Sequence, residues 1–219
     1  MFDSGIIASI QPQKGSALCN LKDIVRFAVD CAPHAVALRV QGERTIEDVR
    51  KSVKIPIIGL IKCCFRDCRL ITPLAEQAVK CYRAGADYVA MELSDRTDVV
   101  EAVEAVGSGI PVIADIADIQ YAEMAEMIGC VAVTTALAGY IKAHPDRFSK
   151  PALPLVRKCV ERLHIPVIAE GRYWFEKSVV AAKKAGAHSI CIGAAIHEPQ
   201  NIVLKNKLLF EGKILRGNF

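Results

Sequence analysis

A lysine that closes an apolar run is costly unless its charge is paired or its pKa is lowered. Pro56-Ile57-Ile58-Gly59-Leu60-Ile61-Lys62 places such a lysine behind five apolar or glycine residues, as if at the end of a fully buried strand. Other short apolar runs also end on polar or small residues: Gln11, Arg39, Glu92, Asp115, Thr134, Glu170 with Gly171 and Arg172, and Gly193 with Ala194. A lysine facing Glu170 would supply two proton carriers whose pKa values move with burial and with each other's charge. Such a pair suits proton transfer at carbon, because a lysine at ~10.4 is a poor base at neutral pH whereas one lowered toward ~7 or 8 can serve. Arg39 is a natural partner for a carboxylate or a ligand oxygen. The segments Glu170-Gly171-Arg172 and Gly193-Ala194-Ala195 would let backbone N–H groups approach a phosphate. Each residue also has a plainer reading. Gln11 could be a loop polar group, Arg39 could reach solvent, and Glu92 or Asp115 could pair with a nearby lysine. Lys62 could be an ion-paired core residue, and Gly193 could serve packing alone.

The elements that must position these residues alternate along the chain. The strand candidates are Gly5 to Ile10, Ala35 to Val40, Ile57 to Ile61, Tyr88 to Met91, Pro111 to Ala114, Val131 to Thr134, Pro166 to Ala169 and Ser189 to Ile192. Amphipathic stretches lie between them, and a last helix covers Asn201 to Phe210. Thr72-Pro73 reads as the capped start of the third helix. About eight strand and helix units, with strands apolar on both faces, predict an α/β fold: a single-domain (β/α)8 TIM barrel over residues 1–219. An open doubly wound sheet is the alternative. Internal similarity favours the barrel, since Ile55-Pro56, Ile110-Pro111 and Ile165-Pro166 repeat one strand entry while Ala84-Gly85-Ala86 and Ala185-Gly186-Ala187 repeat one helix exit. In such a barrel, active sites lie where strands end.

Composition narrows the function. Hydrophobic residues make up 52% and charged residues 24% of the 219, as in globular proteins. The net charge of +4 is scattered, with no basic run that would mark a nucleic-acid partner. No apolar run approaches the ~18 residues that span a bilayer, so no membrane partner is predicted. Nine cysteines behind the opening MFDSGII, which lacks a basic n-region, argue for reduced thiols and a cytoplasmic location. Cys63, Cys64 and Cys68 match no common zinc spacing, so no metal site is assigned.

The chain resembles bacterial N-acetylmannosamine-6-phosphate 2-epimerases over nearly all of its length. The resemblance is carried by Ser9 to Gln11 with Gly15, Arg39, Ile57 to Lys62, Ile71-Thr72-Pro73, Ala84 to Asp87, Ala114-Asp115-Ile116, Gly139-Tyr140, Ile168 to Arg172, and Gly193 with Ala195-Ile196. It implies an isomerase of sialic acid breakdown that inverts C2 of a phosphosugar, needs no metal or organic cofactor, and forms a homodimer. It puts catalysis on Lys62 and Glu170, ligand binding on Gln11, Arg39 and Asp115, and phosphate binding on Gly171, Arg172, Gly193 and Ala194; Glu92, Ser94 and Thr134, at or just past their strand ends, are expected to bind the substrate with them.

Departures fall around the ligand. Glu92 and Ser94 replace the family's aspartate and threonine, Thr135 to Gly139 carries fewer hydroxyls, Ala194 replaces a serine, and Glu198 replaces a usual arginine. The loop after Lys62, with Arg66, is less acidic than the family version. Two other functions keep the same residues: a class I aldolase or lyase using Lys62 as a Schiff-base nucleophile, and a barrel that binds a phosphosugar without turning it over.

Overall fold

The computed structural model describes residues 1–11, 20–65, 68–141 and 150–211. Gly15 and Arg66, singled out above, lie outside them, as does the side chain of Cys68. Ten strands occur among the described residues: β1 (Ile6–Ile10), β2 (Ala37–Gln41), β3 (Ile57–Leu60), β4 (Lys62–Phe65), β5 (Cys68–Ile71), β6 (Tyr88–Glu92), β7 (Val112–Asp115), β8 (Ala132–Thr134), β9 (Val167–Glu170) and β10 (Ser189–Ile192). Eight of them close into a parallel barrel in the order β1-β10-β9-β8-β7-β6-β3-β2, while β4 and β5 form a separate antiparallel hairpin. The helices are α1 (Leu21–Cys31), α2 (Glu43–Ser52), α3 (Ala75–Arg83), α4 (Val99–Gly107), α5 (Ile119–Met127), α6 (Leu153–Arg162), α7 (Glu176–Lys184), the one-turn α8 (Ala194–His197) and α9 (Pro199–Phe210). This is the (β/α)8 barrel that the sequence predicts.

Two apolar layers explain why the strands read as apolar on both faces. Alternate residues point inward, and Ile7, Ala37, Ile58, Leu60, Ala90, Ile113, Ala132 and Ile168 fill the barrel. Their neighbours, among them Val40, Ile57, Val89, Val112, Val133 and Val167, face outward and pack against the helices. Asn20, Asp98 and Asp118 cap α1, α4 and α5 by accepting backbone N–H bonds, satisfying donors that the first turn leaves open.

The structure corrects three local expectations. Strand β3 stops at Leu60, and Lys62 is half-buried as the first residue of the β4–β5 hairpin, not fully buried at a barrel-strand end. Antiparallel pairing explains this, because Lys62 to Phe65 bond with Cys68 to Ile71 once the barrel ladder has ended. Thr72 does not cap α3. Its hydroxyl accepts from Ile61 N at 3.0 Å and its own N donates to Ile61 O at 2.7 Å, so it closes the hairpin base. The start of α3 is served by Glu101, whose carboxylate accepts from Ala75 N at 2.6 Å.

Gly59 sits where helices press on β3. A Cβ there would lie 2.8 Å from the Ala86 Cβ and 2.9 Å from the Ile46 terminal methyl. Ile46 can yield, whereas the Ala86 Cβ is fixed to its backbone. Gly59→Ala is therefore expected to destabilise the fold by about 1–3 kcal/mol, read as a lower urea midpoint with an unchanged denaturant slope.

Candidate active site

The same alternation that fills the barrel delivers the polar residues to one mouth. Arg39 lies two residues beyond Ala37, Glu92 beyond Ala90, Asp115 beyond Ile113, Thr134 beyond Ala132, and Glu170 beyond Ile168. The last inward layer is therefore a ring of charge above layers of hydrocarbon. At its centre, Arg39 is 1% exposed and Asp115 is fully buried. Arg39 Nη1 donates to Asp115 Oδ1 at 2.9 Å and to Glu170 Oε2 at 2.8 Å, and Nη2 donates to Asp115 Oδ2. Thr134 completes the cluster by donating to Asp115 Oδ1 at 2.9 Å.

Charge and burial set the ionisation of this group. Burial opposes the Arg39 cation, but Asp115 and Glu170 outweigh it and hold the guanidinium above its ordinary range. Burial raises the Glu170 pKa; Arg39 opposes that rise, while the neighbouring Asp115 adds to it. Lys62 lies close enough for its charge to favour the Glu170 carboxylate.

Lys62 reaches the site by a different route. It pairs with Ile71 across the hairpin, and Ile71 N donates to Glu92 Oε2 at 3.2 Å. Glu92 in turn accepts from Ser94 Oγ at 2.8 Å and from Arg96 Nε at 2.8 Å and Nη2 at 2.6 Å. The buried Glu92 is thus occupied as a clamp on the strand opposite Lys62.

A cavity of about 550 Å³ opens at this mouth, within the roughly 300–1,000 Å³ of small-molecule sites. Of the residues the sequence singles out, Gln11, Arg39, Lys62, Glu170, Gly171, Arg172, Gly193 and Ala194 line it. Glu92, Ser94, Asp115 and Thr134 stand behind that wall, where they support Lys62 and Arg39. Gln11 is turned by its bond to Ser9 Oγ at 2.6 Å.

The two small-residue segments take different shapes. Gly171 and Arg172 both have positive φ, 98° and 67°, which turns the chain sharply after β9. Arg172 Nε donates to the Lys150 carbonyl and Nη2 to the Ala138 carbonyl, while its guanidinium lies 4.9 Å from the centre of the Tyr140 ring. It braces the loop after β8. Ala194 opens helix α8 instead of continuing a loop, and α8 delivers His197 and Glu198 to the cavity. His197 is buried, which lowers its pKa against the pull of Glu198. Glu198 accepts from Asn201 Nδ2. Among the described residues, no group of three or more His, Cys, Asp or Glu is placed to hold a metal ion, and no helix is long and apolar enough to cross a membrane.

With this geometry in place, residues 24–209 match the family model described as "Putative N-acetylmannosamine-6-phosphate epimerase". The chain belongs to this family. A relative given the 2-epimerase form of that name, from Caldanaerobacter subterraneus subsp. tengcongensis, is 30% identical over 211 residues, covering 92% of this chain and 89% of its own. Another, from Yersinia pestis (strain Pestoides F), is 35% identical over 207 residues, covering 92% and 88%. The solved N-acetylmannosamine-6-phosphate 2-epimerase from Clostridium perfringens superposes with a TM-score of 0.84 at 27% identity, covering 93% of this chain and 92% of that one. Thiamine phosphate pyrophosphorylase from Pyrococcus furiosus, at 16% identity and a TM-score of 0.58 over 88% and 86%, shares the fold alone.

Several cavity residues carry no sequence-based expectation: Arg96, Tyr173, Cys191, His197 and Asn201. Two had a signal. Arg96 lies four residues after Glu92, and Cys191 lies two before Gly193 on the same inward alternation. His197 and Asn201 depend on the turn of α8, which a small-residue reading does not reveal.

The Arg39 cluster supplies a stability test. Arg39→Met leaves the fully buried Asp115 carboxylate with Thr134 in place of a cation. Removing one partner of a buried pair costs about 3–5 kcal/mol. Urea denaturation should show a loss of that size, against under ~1 kcal/mol for an exposed pair such as Arg162 with Glu123.

Proposed function

We propose that this chain interconverts N-acetylmannosamine 6-phosphate and N-acetylglucosamine 6-phosphate by removing and returning the proton at C2. The observation that carries the proposal is Lys62 and Glu170 lining one cavity, with Glu170 anchored by a buried arginine. Family membership supports the substrate.

In the open-chain sugar, the neighbouring aldehyde acidifies the C2 proton. Lys62 as the free amine takes that proton, the electrons of the broken C–H bond move into the carbonyl to form an enolate, and return of a proton to the opposite face inverts the centre. Glu170 is the second proton carrier. Gln11 and Arg39 orient the sugar from the cavity wall, while Asp115, Thr134, Glu92 and Ser94 hold Arg39 and Lys62 from behind. The phosphate takes backbone N–H groups around Gly171, Gly193 and Ala194. Arg172 adds its charge and the shape of its loop, because two of its nitrogens already serve carbonyls. The cytoplasm as compartment and a homodimer as assembly belong to the same proposal.

The test is an NMR assay in deuterated buffer with each hexosamine phosphate. Interconversion accompanied by deuterium at C2 is the expected outcome, with Lys62→Ala slower by ~10²–10⁴ while its circular dichroism is unchanged. Borohydride trapping of substrate on Lys62 would point instead to Schiff-base chemistry. Saturable binding without exchange would leave a binding barrel.

A further inference from the structure

The cavity wall carries a thiol that this proton-transfer scheme leaves unused. Cys191 on β10 is the register partner of Glu170 on β9. Both line the cavity, and the cysteine is 2% exposed. Register partners on adjacent parallel strands present their side chains side by side on one face, so the Cys191 thiol stands beside the Glu170 carboxyl at the cavity wall, where each acts on the other's ionisation. An ionised carboxylate can only accept, so in a contact between these two neighbours the donor is the thiol.

We propose that Cys191 is a positioning residue for Glu170, its S–H holding the carboxyl from the β10 side while Arg39 holds it from β2, so that the group keeps one orientation in its ionised form. This inference rests on Glu170 being the proton-carrying partner of Lys62. Arg39 contacts Oε2 through Nη1 at 2.8 Å. The last torsion of a glutamate is soft, so one anchor alone leaves the carboxyl free to swing. A second donor on the adjacent strand removes that freedom. The groups that act on Glu170 are Arg39 from β2, Asp115 from β7, Cys191 from β10 and Lys62 from the hairpin.

The choice of sulfur has a chemical consequence. A hydroxyl at this position would donate more strongly and pull the carboxyl toward lower pKa, whereas a side chain without a donor would leave it to burial and Asp115. Burial and the adjacent Glu170 also hold the thiol well above its ordinary range, so it stays protonated and does not compete as a nucleophile.

The test compares kcat/KM against pH for the parent, Cys191→Ala and Cys191→Ser, following the limb that Glu170→Gln abolishes. Hydrogen bonding to the ionised form lowers a pKa, so its loss in Cys191→Ala should move that limb upward by roughly half to one pH unit, and Cys191→Ser should bring it back to the parent value or below. A purely structural cysteine would alter stability and leave the limb where it is. A second arm needs no turnover: iodoacetamide alkylation of Cys191, followed by peptide mass spectrometry across pH, in the parent and in folded Glu170→Gln. Loss of the carboxylate charge should let the thiol ionise at lower pH and react faster at a given pH. Superimposable limbs together with superimposable alkylation curves overturn the inference. A fully active Glu170→Gln whose alkylation curve still shifts overturns it differently, by removing Glu170 from the reaction while the contact itself stands.

Discussion

Arg39 is the group on which the mouth of the barrel depends. Its guanidinium is buried, and one nitrogen bridges Asp115 and Glu170 while the other returns to Asp115. Taking such a group out of water is expensive, and a hydrophobic replacement of the whole cluster is often neutral or stabilising. Stability therefore does not account for the cluster's presence. Its effect is to fix an acidic group from behind, with Asp115 itself fixed by Thr134. One cation between two carboxylates also leaves one excess negative charge in the cluster. The adjacent Lys62 favours the Glu170 carboxylate, while burial and Asp115 favour its protonated form. A proton-carrying group held between opposing influences is suited to both giving and receiving.

The second buried carboxylate at the rim does different work. Glu92 lies in register with Asp115 on the neighbouring strand. Its oxygens are taken by Arg96, Ser94 and the backbone of Ile71. Since Ile71 is the hairpin partner of Lys62, the lysine is placed by a carboxylate that need not touch substrate. The two groups proposed to carry the proton are thus supported by separate means: Glu170 through Arg39 within the barrel, and Lys62 through an antiparallel extension beyond it. Each positioning group has its own partners, which is what preorganisation requires.

The sequence made the barrel legible because its strands are short, apolar on both faces and regularly spaced, and because Ile-Pro entries and Ala-Gly-Ala exits repeat. The site was partly legible for the same reason, since a polar residue closing an apolar strand must lie at the mouth. What escaped was whatever local pattern does not encode. Thr72-Pro73 has the composition of a helix start, yet the positive φ of Thr72, 42°, and its bonds to Ile61 serve the hairpin. Cys63 and Cys64 fall in the stretch that the sequence reads as the loop after Lys62, although pairing with Leu70 and Arg69 makes them a strand. Strand-end polarity cannot by itself separate residues that face a ligand from those one layer deeper. Asp115 and Thr134 end their strands as Glu170 does, but Arg39 lies between Asp115 and the cavity.

The cationic side chains of the cavity show how this mouth divides its labour. Arg39 is committed to Asp115 and Glu170, Arg96 to Glu92, and Arg172 to two carbonyls and the Tyr140 face. Their forks shape the walls, and their charge acts on a ligand through the low-dielectric interior. Near α8 the balance differs, because Glu198 brings a carboxylate into the lining beside a buried histidine whose pKa is lowered. There the Glu198 carboxylate opposes an anionic group, while the charge of Lys62 reaches the same histidine from across the cavity. Under the proposed function, a phosphate seated there would draw on backbone N–H groups and on the fields of cations anchored elsewhere, so the shape of the turns at Gly171 and Gly193 would matter more to its recognition than any single basic residue.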